Sequence, residues 1–357
     1  MTDKTAVDGK PAIFLSGLFP EEINRLVNFG QSFRAKQVYE WIVKGSGDFA
    51  AMSNLPSTDR ERLGAVFGRL RSSSVSSEFK DEDGSLKLQI RLRDGAAVEC
   101  VLLEDIEGRK TACLSSQVGC PMGCAFCRTG QLGFLRNLGP DEILEQYYFL
   151  KERRGFISNV VFMGMGEPML NLPALRKAIA LLSDPEGIGL SLRKITISTS
   201  GIVSGILDLA ANGPKVRLAV SLTTANEEMR SELMPVNKSW NLDALKQALV
   251  EYQAKTGERI TLEAVLTGNR NSSLDDARAL IRWVSPLKAQ VNLIPWNVVP
   301  GLPFEEPTIV QVKAFSNVLE KAGLVAVQRM HRGRGVMGAC GQLGDTLMAD
   351  PNPKPST

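Results

Sequence analysis

The chain has a single histidine among 357 residues. His331 is in neither an HxxxH nor an HxE context, which leaves little from which to build a histidine metal site. There is no apolar run of about 20 residues and no basic-then-apolar leader, which argues against membrane insertion and secretion. Charge of one sign is missing too: 42 Lys+Arg face 39 Asp+Glu for a formal net charge of +3. Total charge therefore says little about partners, and any nucleic-acid surface must be a local patch. Cysteines number only six. A chain of this length has ample core without a disulfide scaffold, and in the reducing cytoplasm, the location expected here, its thiols stay reduced unless chemistry oxidises them. At roughly 100–200 residues per domain, two or three units are expected.

Residues 1–10 are polar and are expected to be a disordered tail. From 11 to 75, "GLFPEEINRLVNFGQSFRAKQVYEWIVKG" and "LPSTDRERLGAVFGRL" carry apolar positions at helical period, which predicts a small helical accessory domain. The period changes to two over 76–108: Leu86, Leu88, Ile90 and Leu92 alternate between Asp83-Gly84 and Asp94-Gly95, then Val98, Cys100 and Leu102 resume. Two Asp-Gly turns between such runs predict an antiparallel β-hairpin extension. On it, Cys100 faces the core as a small buried hydrophobe, and Glu99 points the other way, more exposed than its neighbours.

Over 109–330 the rhythm becomes strand, loop, helix, repeated. Runs such as "TACLSS", "NVVFMG", "KITIST", "VRLAVSL", "RITLEAVL", "QVNLIPW" and "LVAVQRM" alternate with amphipathic stretches, which predicts an α/β fold with a parallel sheet and right-handed crossovers. Six or seven units suit a partial barrel, and its site should lie at the C-terminal strand ends. Residues 331–357 form a glycine-rich tail.

"CPMGCAFC" follows the first of these strands and carries Cys120, Cys124 and Cys127. A structural zinc site usually has four closed ligands, often as two CxxC knuckles. No second knuckle is present, although Cys113, Cys340 or His331 could supply a fourth ligand. An iron–sulfur cluster with three thiolates and one open iron fits the count best, and the open iron would take a small molecule. "GMGEP" closes the next strand, with two glycines that let backbone approach a ligand and a carboxylate at Glu167. Ser198 in "STSG", Ser221 opening "SLTT" and Asn297 in "PWN" sit on further strand ends. Cys113 lies seven residues before the cluster motif. Cys340, in "RGRGVMGACGQLG", has little bulk around it to bury its thiol.

The set "CLSSQVGCPMGCAFC", "GMGEP", "STSG", "NLIPWN" and "GACGQL", with "FRAKQVYEWI" near the start, resembles the RlmN/Cfr family of radical S-adenosylmethionine (SAM) adenosine C-methyltransferases. The resemblance spans nearly the whole chain, is stronger to the RlmN branch, and implies a partial (βα)6 radical SAM barrel. It implies one 4Fe-4S cluster on Cys120, Cys124 and Cys127, and SAM held by Gly166, Glu167, Ser198, Ser221, Leu222, Thr223 and Asn297. Two SAM molecules are used per turnover. One methylates Cys340, and the other yields the radical that activates that methyl group, since carbon 2 of adenine is too inert for ordinary transfer. Glu99 matches the proposed base, and Cys113 matches the cysteine that forms a disulfide with Cys340 at product release. Implied partners are 23S rRNA, tRNA and an external electron donor such as flavodoxin, with the enzyme a monomer. Cfr-like enzymes methylate carbon 8 instead and confer antibiotic resistance. The sequence departs from the RlmN pattern at Thr223, where histidine is common, and at Arg334 and Gly335, where acidic residues are common. Arg329, His331, Arg332 and Arg334 before Cys340, and Arg69, Arg71, Arg91 and Arg93 near the N-terminal junction, are suited to phosphate contacts around an unstacked base.

Overall fold

Pro20, whose fixed φ suits the first turn of a helix, opens α1 (Pro20–Val27), and the Glu22 carboxylate accepts the orphan Phe19 N–H at 2.9 Å. The computed structural model describes residues 13–329 and 331–344; the expected disordered tail at 1–10 and the last part of the C-terminal tail lie outside them. α2 (Phe33–Lys44) stops at Gly45, which takes φ 92°. α3 (Ser57–Phe67) follows, and the three helices bury Ile23, Val27, Val38, Ile42, Leu63 and Phe67.

The two Asp-Gly turns connect β1 (Ser74–Lys80), β2 (Leu86–Arg91) and β3 (Ala97–Glu104) as antiparallel neighbours. In each turn the aspartate Oδ1 accepts the N–H two residues on, Ser85 or Ala96, and the glycine adopts positive φ. β3 then pairs antiparallel with β4 (Lys110–Cys113), so this segment extends the main sheet.

After β4 the chain inserts a small antiparallel pair, β5 (Gln117–Gly119) and β6 (Phe134–Asn137), with the short α4 (Arg128–Gln131) between them. α5 (Pro140–Arg154) leads to β7 (Asn159–Phe162), α6 (Leu172–Ser183) to β8 (Ile195–Thr199), and α7 (Val203–Asn212) to β9 (Arg217–Ser221). α8 (Glu227–Leu233) and α9 (Leu242–Thr256) lead to β10 (Ile260–Leu266), α10 (Leu274–Val284) to β11 (Ala289–Pro295), and α11 (Ile309–Lys321) to β12 (Val325–Gln328). β4 and β7 to β12 are parallel and sequential, seven strands joined by six crossovers. The ten-stranded sheet is open, with β1 and β12 at its edges. Its C-terminal strand ends share one rim.

The N-terminal region is fastened to the barrel by buried carboxylates on α5. Asp141 accepts Phe14 N–H at 3.0 Å, and Glu145 accepts the Ser72 and Ser73 N–H groups at 2.8 and 2.7 Å. Burial, helped by the neighbouring Glu145 charge, pushes the Asp141 carboxyl up to about 7. A raised carboxyl favours the fold below its unfolded value near 4, and that contribution is lost as pH rises towards 7. The shift corresponds to at most about 4 kcal/mol. Asp141→Asn keeps an acceptor for Phe14, so thermal melts should show a gain at pH 8 and a clearly smaller one at pH 5; a variant no more stable at pH 8 would refute the assignment.

Candidate active site

At the rim a cleft of about 970 Å³, taken to its open mouth, gathers residues from successive strand ends. The three cysteines reach it on the loop between β5 and α4. That loop has little regular structure of its own and is held by others: Cys120 N–H donates to Gly133 O at 2.8 Å, Ala125 N–H to Leu233 O at 2.9 Å, and Trp296 Nε1 to Phe126 O at 3.0 Å. Gly119, at φ 73°, has no alternative, because a Cβ there would lie 1.9 Å from Gly133 O. Cys120, Cys124 and Cys127 all line the cleft. Burial pushes the Cys120 thiol up to about 12 and raises the other two. Uncompensated, these groups stay protonated; a cationic iron core binding through sulfur would hold them as thiolates. Among the described residues no three His, Cys, Asp or Glu side chains are placed to hold a metal ion. Donors around one zinc would sit within about 4 Å of each other, whereas cysteines that each ligate a separate iron are spread wider. Three sulfur donors on one loop lining the cleft are the donor set that a three-thiolate iron–sulfur cluster takes.

Glu167, only 3% exposed, faces the cleft beside them. Its Oε2 accepts Ser200 N–H at 2.7 Å and Ser200 Oγ–H at 2.8 Å, and its Oε1 accepts Met169 N–H at 3.1 Å. Burial raises its pKa and these donors oppose the rise. An ammonium group docked here would compensate the remaining charge, which suits the amino end of SAM. Gly164 and Gly166 line the cleft, and both are also needed for packing. A Cβ on Gly166, at φ 102°, would fall 2.6 Å from Gln117 Cβ, and one on Gly164 would fall 2.8 Å from Leu114 O. Their lack of a side chain lets this loop pack on the segment after β4.

Ser198, Ser221 and Asn297 line the cleft. Leu222 and Thr223 lie behind its wall. Leu222 is fully buried, and Thr223, at φ 64°, donates its N–H to Glu263 O and accepts Asn271 Nδ2–H. The Asn297 amide is taken up by the tail: Nδ2 donates to Cys340 O at 3.0 Å, and Oδ1 accepts Arg334 Nε–H at 2.8 Å.

The tail crosses the mouth as a strap. Arg128 N–H donates to Gly341 O at 2.7 Å, Thr129 Oγ1 to Leu343 O at 2.7 Å, and Gln342 Nε2 to Val298 O at 2.8 Å. These bonds set Cys340 on the cleft wall, reachable by solvent yet closely surrounded. Cys113, at the end of β4, is 8% exposed and lies near it, with Arg329 beside both thiols. Burial raises Cys340 and pushes Cys113 up to about 12, and the Arg329 charge works against both shifts. Glu263 faces the same space, with Oε1 held by Asn292 Nδ2 at 3.0 Å.

Glu99 is not exposed, contrary to the alternation. β3 is an interior strand, and the face opposite Cys100 is covered by Met165 and the tail, so Glu99 and Cys100 are both fully buried. Glu99 Oε2 accepts Gly344 N–H at 2.8 Å, and Lys87 Nζ, also fully buried, lies 3.5 Å from Oε1. The basic run before Cys340 is likewise bonded inwards. Arg332 donates to Glu104 O, Arg334 pairs with Glu306 at 2.8 Å, and His331 reaches Asn297 at 2.9 Å. Near the N-terminal junction, Arg71 pairs with Glu152, Arg69 donates to Ser72 O and Arg93 stacks on Phe14.

A family model for the radical SAM superfamily matches residues 114–284, and one for the ribosomal RNA large subunit methyltransferase N-terminal domain matches residues 26–67. A probable dual-specificity RNA methyltransferase RlmN of Treponema pallidum strain Nichols is 50% identical over 93% of this chain and 97% of its own length. The dual-specificity RNA methyltransferase RlmN of Magnetococcus marinus is 40% identical over 96% and 98%. The crystal structure of a radical SAM methyltransferase from Sphaerobacter thermophilus superposes with a TM-score of 0.89 at 36% identity, covering 93% and 99% of the two chains. An open parallel barrel with three cysteines on the loop beyond its first strand defines a radical SAM enzyme, which carries a 4Fe-4S cluster and binds SAM. Within that class, the chain belongs to the RlmN family. Among the described residues no helix is long and apolar enough to cross a membrane.

Proposed function

We propose that this protein methylates carbon 2 of adenosine in 23S rRNA and tRNA, carrying the methyl group on Cys340. The observation that supports this most directly is that Cys113 and Cys340, distant in sequence, both lie within the field of Arg329, and that Arg329 and Cys340 line the cleft that also holds the cluster cysteines and Glu167. Cys120, Cys124 and Cys127 would hold the cluster and Gly166–Glu167 the amino end of SAM, with Ser198 and Ser221 along its length. When bound, the cluster supplies the electron that turns SAM into a hydrogen-abstracting agent, which the inert ring carbon requires. Cys340 acts earlier and by polar chemistry: its sulfur takes the methyl group of one SAM, a C–S bond forms, the sulfonium C–S bond breaks, and S-adenosylhomocysteine leaves. Arg329 favours the thiolate that attacks. Glu99 takes the ring proton once the tail has moved, and Cys113 releases the product by forming a disulfide with Cys340.

Carbon 2 is preferred to carbon 8 because the relatives named above are RlmN enzymes matched over nearly their whole length, and the N-terminal domain model matches as well. That helical region, residues 11–75, contacts the RNA. An external electron donor such as flavodoxin, a monomeric state and a cytoplasmic location complete the reading. The test is anaerobic reconstitution with iron and sulfide, then SAM, then mass spectrometry of the Cys340 peptide. One added methyl group is expected on Cys340; a colourless protein, or a Cys340 that never gains the methyl, would sink the proposal.

A further inference from the structure

Arg230 on α8 is fully buried, and its guanidinium faces only neutral acceptors. Nε donates to Leu222 O at 3.2 Å, Nη1 to Asn237 Oδ1 at 2.7 Å, and Nη2 to Ser200 O at 2.8 Å and Ser221 O at 3.3 Å. Among the described residues no carboxylate lies within ion-pairing distance of it. The carboxylate whose charge reaches it, Glu227, is bonded elsewhere: Oε1 accepts Asn237 Nδ2–H at 2.6 Å and Oε2 accepts Leu242 N–H at 3.2 Å. A buried cation without a counter-ion is costly, and four hydrogen bonds to dipoles offset only part of that cost.

The position of α8 shows where the missing negative charge belongs. One turn beyond Arg230 the helix is tied to the cluster loop, Leu233 O accepting Ala125 N–H at 2.9 Å. Cys124 lies within the field of the guanidinium. A 4Fe-4S core on three thiolates carries roughly one net negative charge and gains another on reduction. We propose that Arg230 is the buried counter-cation of the cluster site and stabilises its reduced state, while its hydrogen bonds brace the β8 and β9 ends that carry Ser200 and Ser221. Because a nearby cation stabilises the more negative form, it raises the reduction potential.

This inference rests on the cluster and not on RNA methylation, so its test needs neither SAM nor RNA. Reconstituted wild-type, Arg230→Gln and Arg230→Lys proteins are compared by anaerobic redox titration followed by electron paramagnetic resonance, with iron content and circular dichroism measured alongside. Arg230→Gln with a full cluster should show a more negative potential, and Arg230→Lys, which keeps the charge but loses the planar fork, should stay near wild type with a lower melting temperature. An unchanged potential in Arg230→Gln, or an equal shift in both variants, overturns the proposal. If Arg230→Gln fails to bind iron, a loaded Arg230→Lys at the wild-type potential supports it, a loaded Arg230→Lys at a shifted potential overturns it, and failure of both to load a cluster overturns it in favour of a purely structural brace.

Discussion

Cys113→Ala protein, given SAM, an electron donor and RNA without oxygen, should accumulate an RNA covalently bound to Cys340. Its release of methylated product should fall by roughly 10³-fold or more, the scale expected when one reacting group is removed. In the proposed reaction one carbon becomes bonded both to the Cys340 sulfur and to the adenine ring. Release needs a thiolate to attack that sulfur: an S–S bond forms, the S–C bond breaks, and its electron pair stays on carbon, which is protonated to the methyl group. The fold offers Cys113 for this and little to replace it. Cys100 is fully buried on β3 beside Val101, the residue that pairs with Cys113, so the pleat turns Cys100 to the other face of the sheet. Burial pushes Cys113 up to about 12, so at neutral pH it is mostly a thiol, and product release by the wild type should quicken as pH rises. Gel shift under denaturing conditions and mass spectrometry of the Cys340 peptide read the adduct. Cys340→Ala should give neither adduct nor product. Normal turnover by Cys113→Ala would remove Cys113 from the mechanism.

The parallel strands were legible because β-branched runs alternated with helical period, and the two Asp-Gly turns marked β1 to β3. β5 and β6 were not, since three- and four-residue strands amid glycines carry no measurable period. That Cys120, Cys124 and Cys127 share one loop at the cleft was legible from their spacing and their place after the first parallel strand. Their supports were not: Ser200, Trp296 and Arg230 act through contacts between distant elements, and nothing in a lone serine or arginine marks it as a brace. The same limit explains Glu99. Alternation shows that it opposes Cys100 across the strand, but not that Met165 and a tail more than two hundred residues away cover that second face. It also explains the arginines before Cys340, which read as an open basic patch until their bonds to Glu104, Glu306 and Asn297 are traced.

Lys87→Met should destabilise the protein by about 3–5 kcal/mol, because it removes one partner of a buried ion pair, the cation 3.5 Å from the Glu99 carboxylate. Both residues are fully buried, and together they hold the strap: Lys87 donates to Met337 O at 3.3 Å, and Glu99 accepts Gly344 N–H. Thermal melts should show the loss, and amide hydrogen exchange should rise over residues 337–344. The double variant Lys87→Met/Glu99→Gln should recover part of the stability, since both charges of the pair are gone while an acceptor for Gly344 remains. If the single variant melted as wild type, the pair would have no hold on the strap. Glu99→Gln alone also breaks the buried pair and should lose stability, but it keeps an acceptor for Gly344, so in the protein that folds Cys340 should still gain its methyl group from SAM. Methylated RNA should nevertheless not appear, because the carboxylate proposed to take the ring proton is missing. A Glu99→Gln protein that methylates RNA at the wild-type rate would reduce Glu99 to a structural latch for the tail.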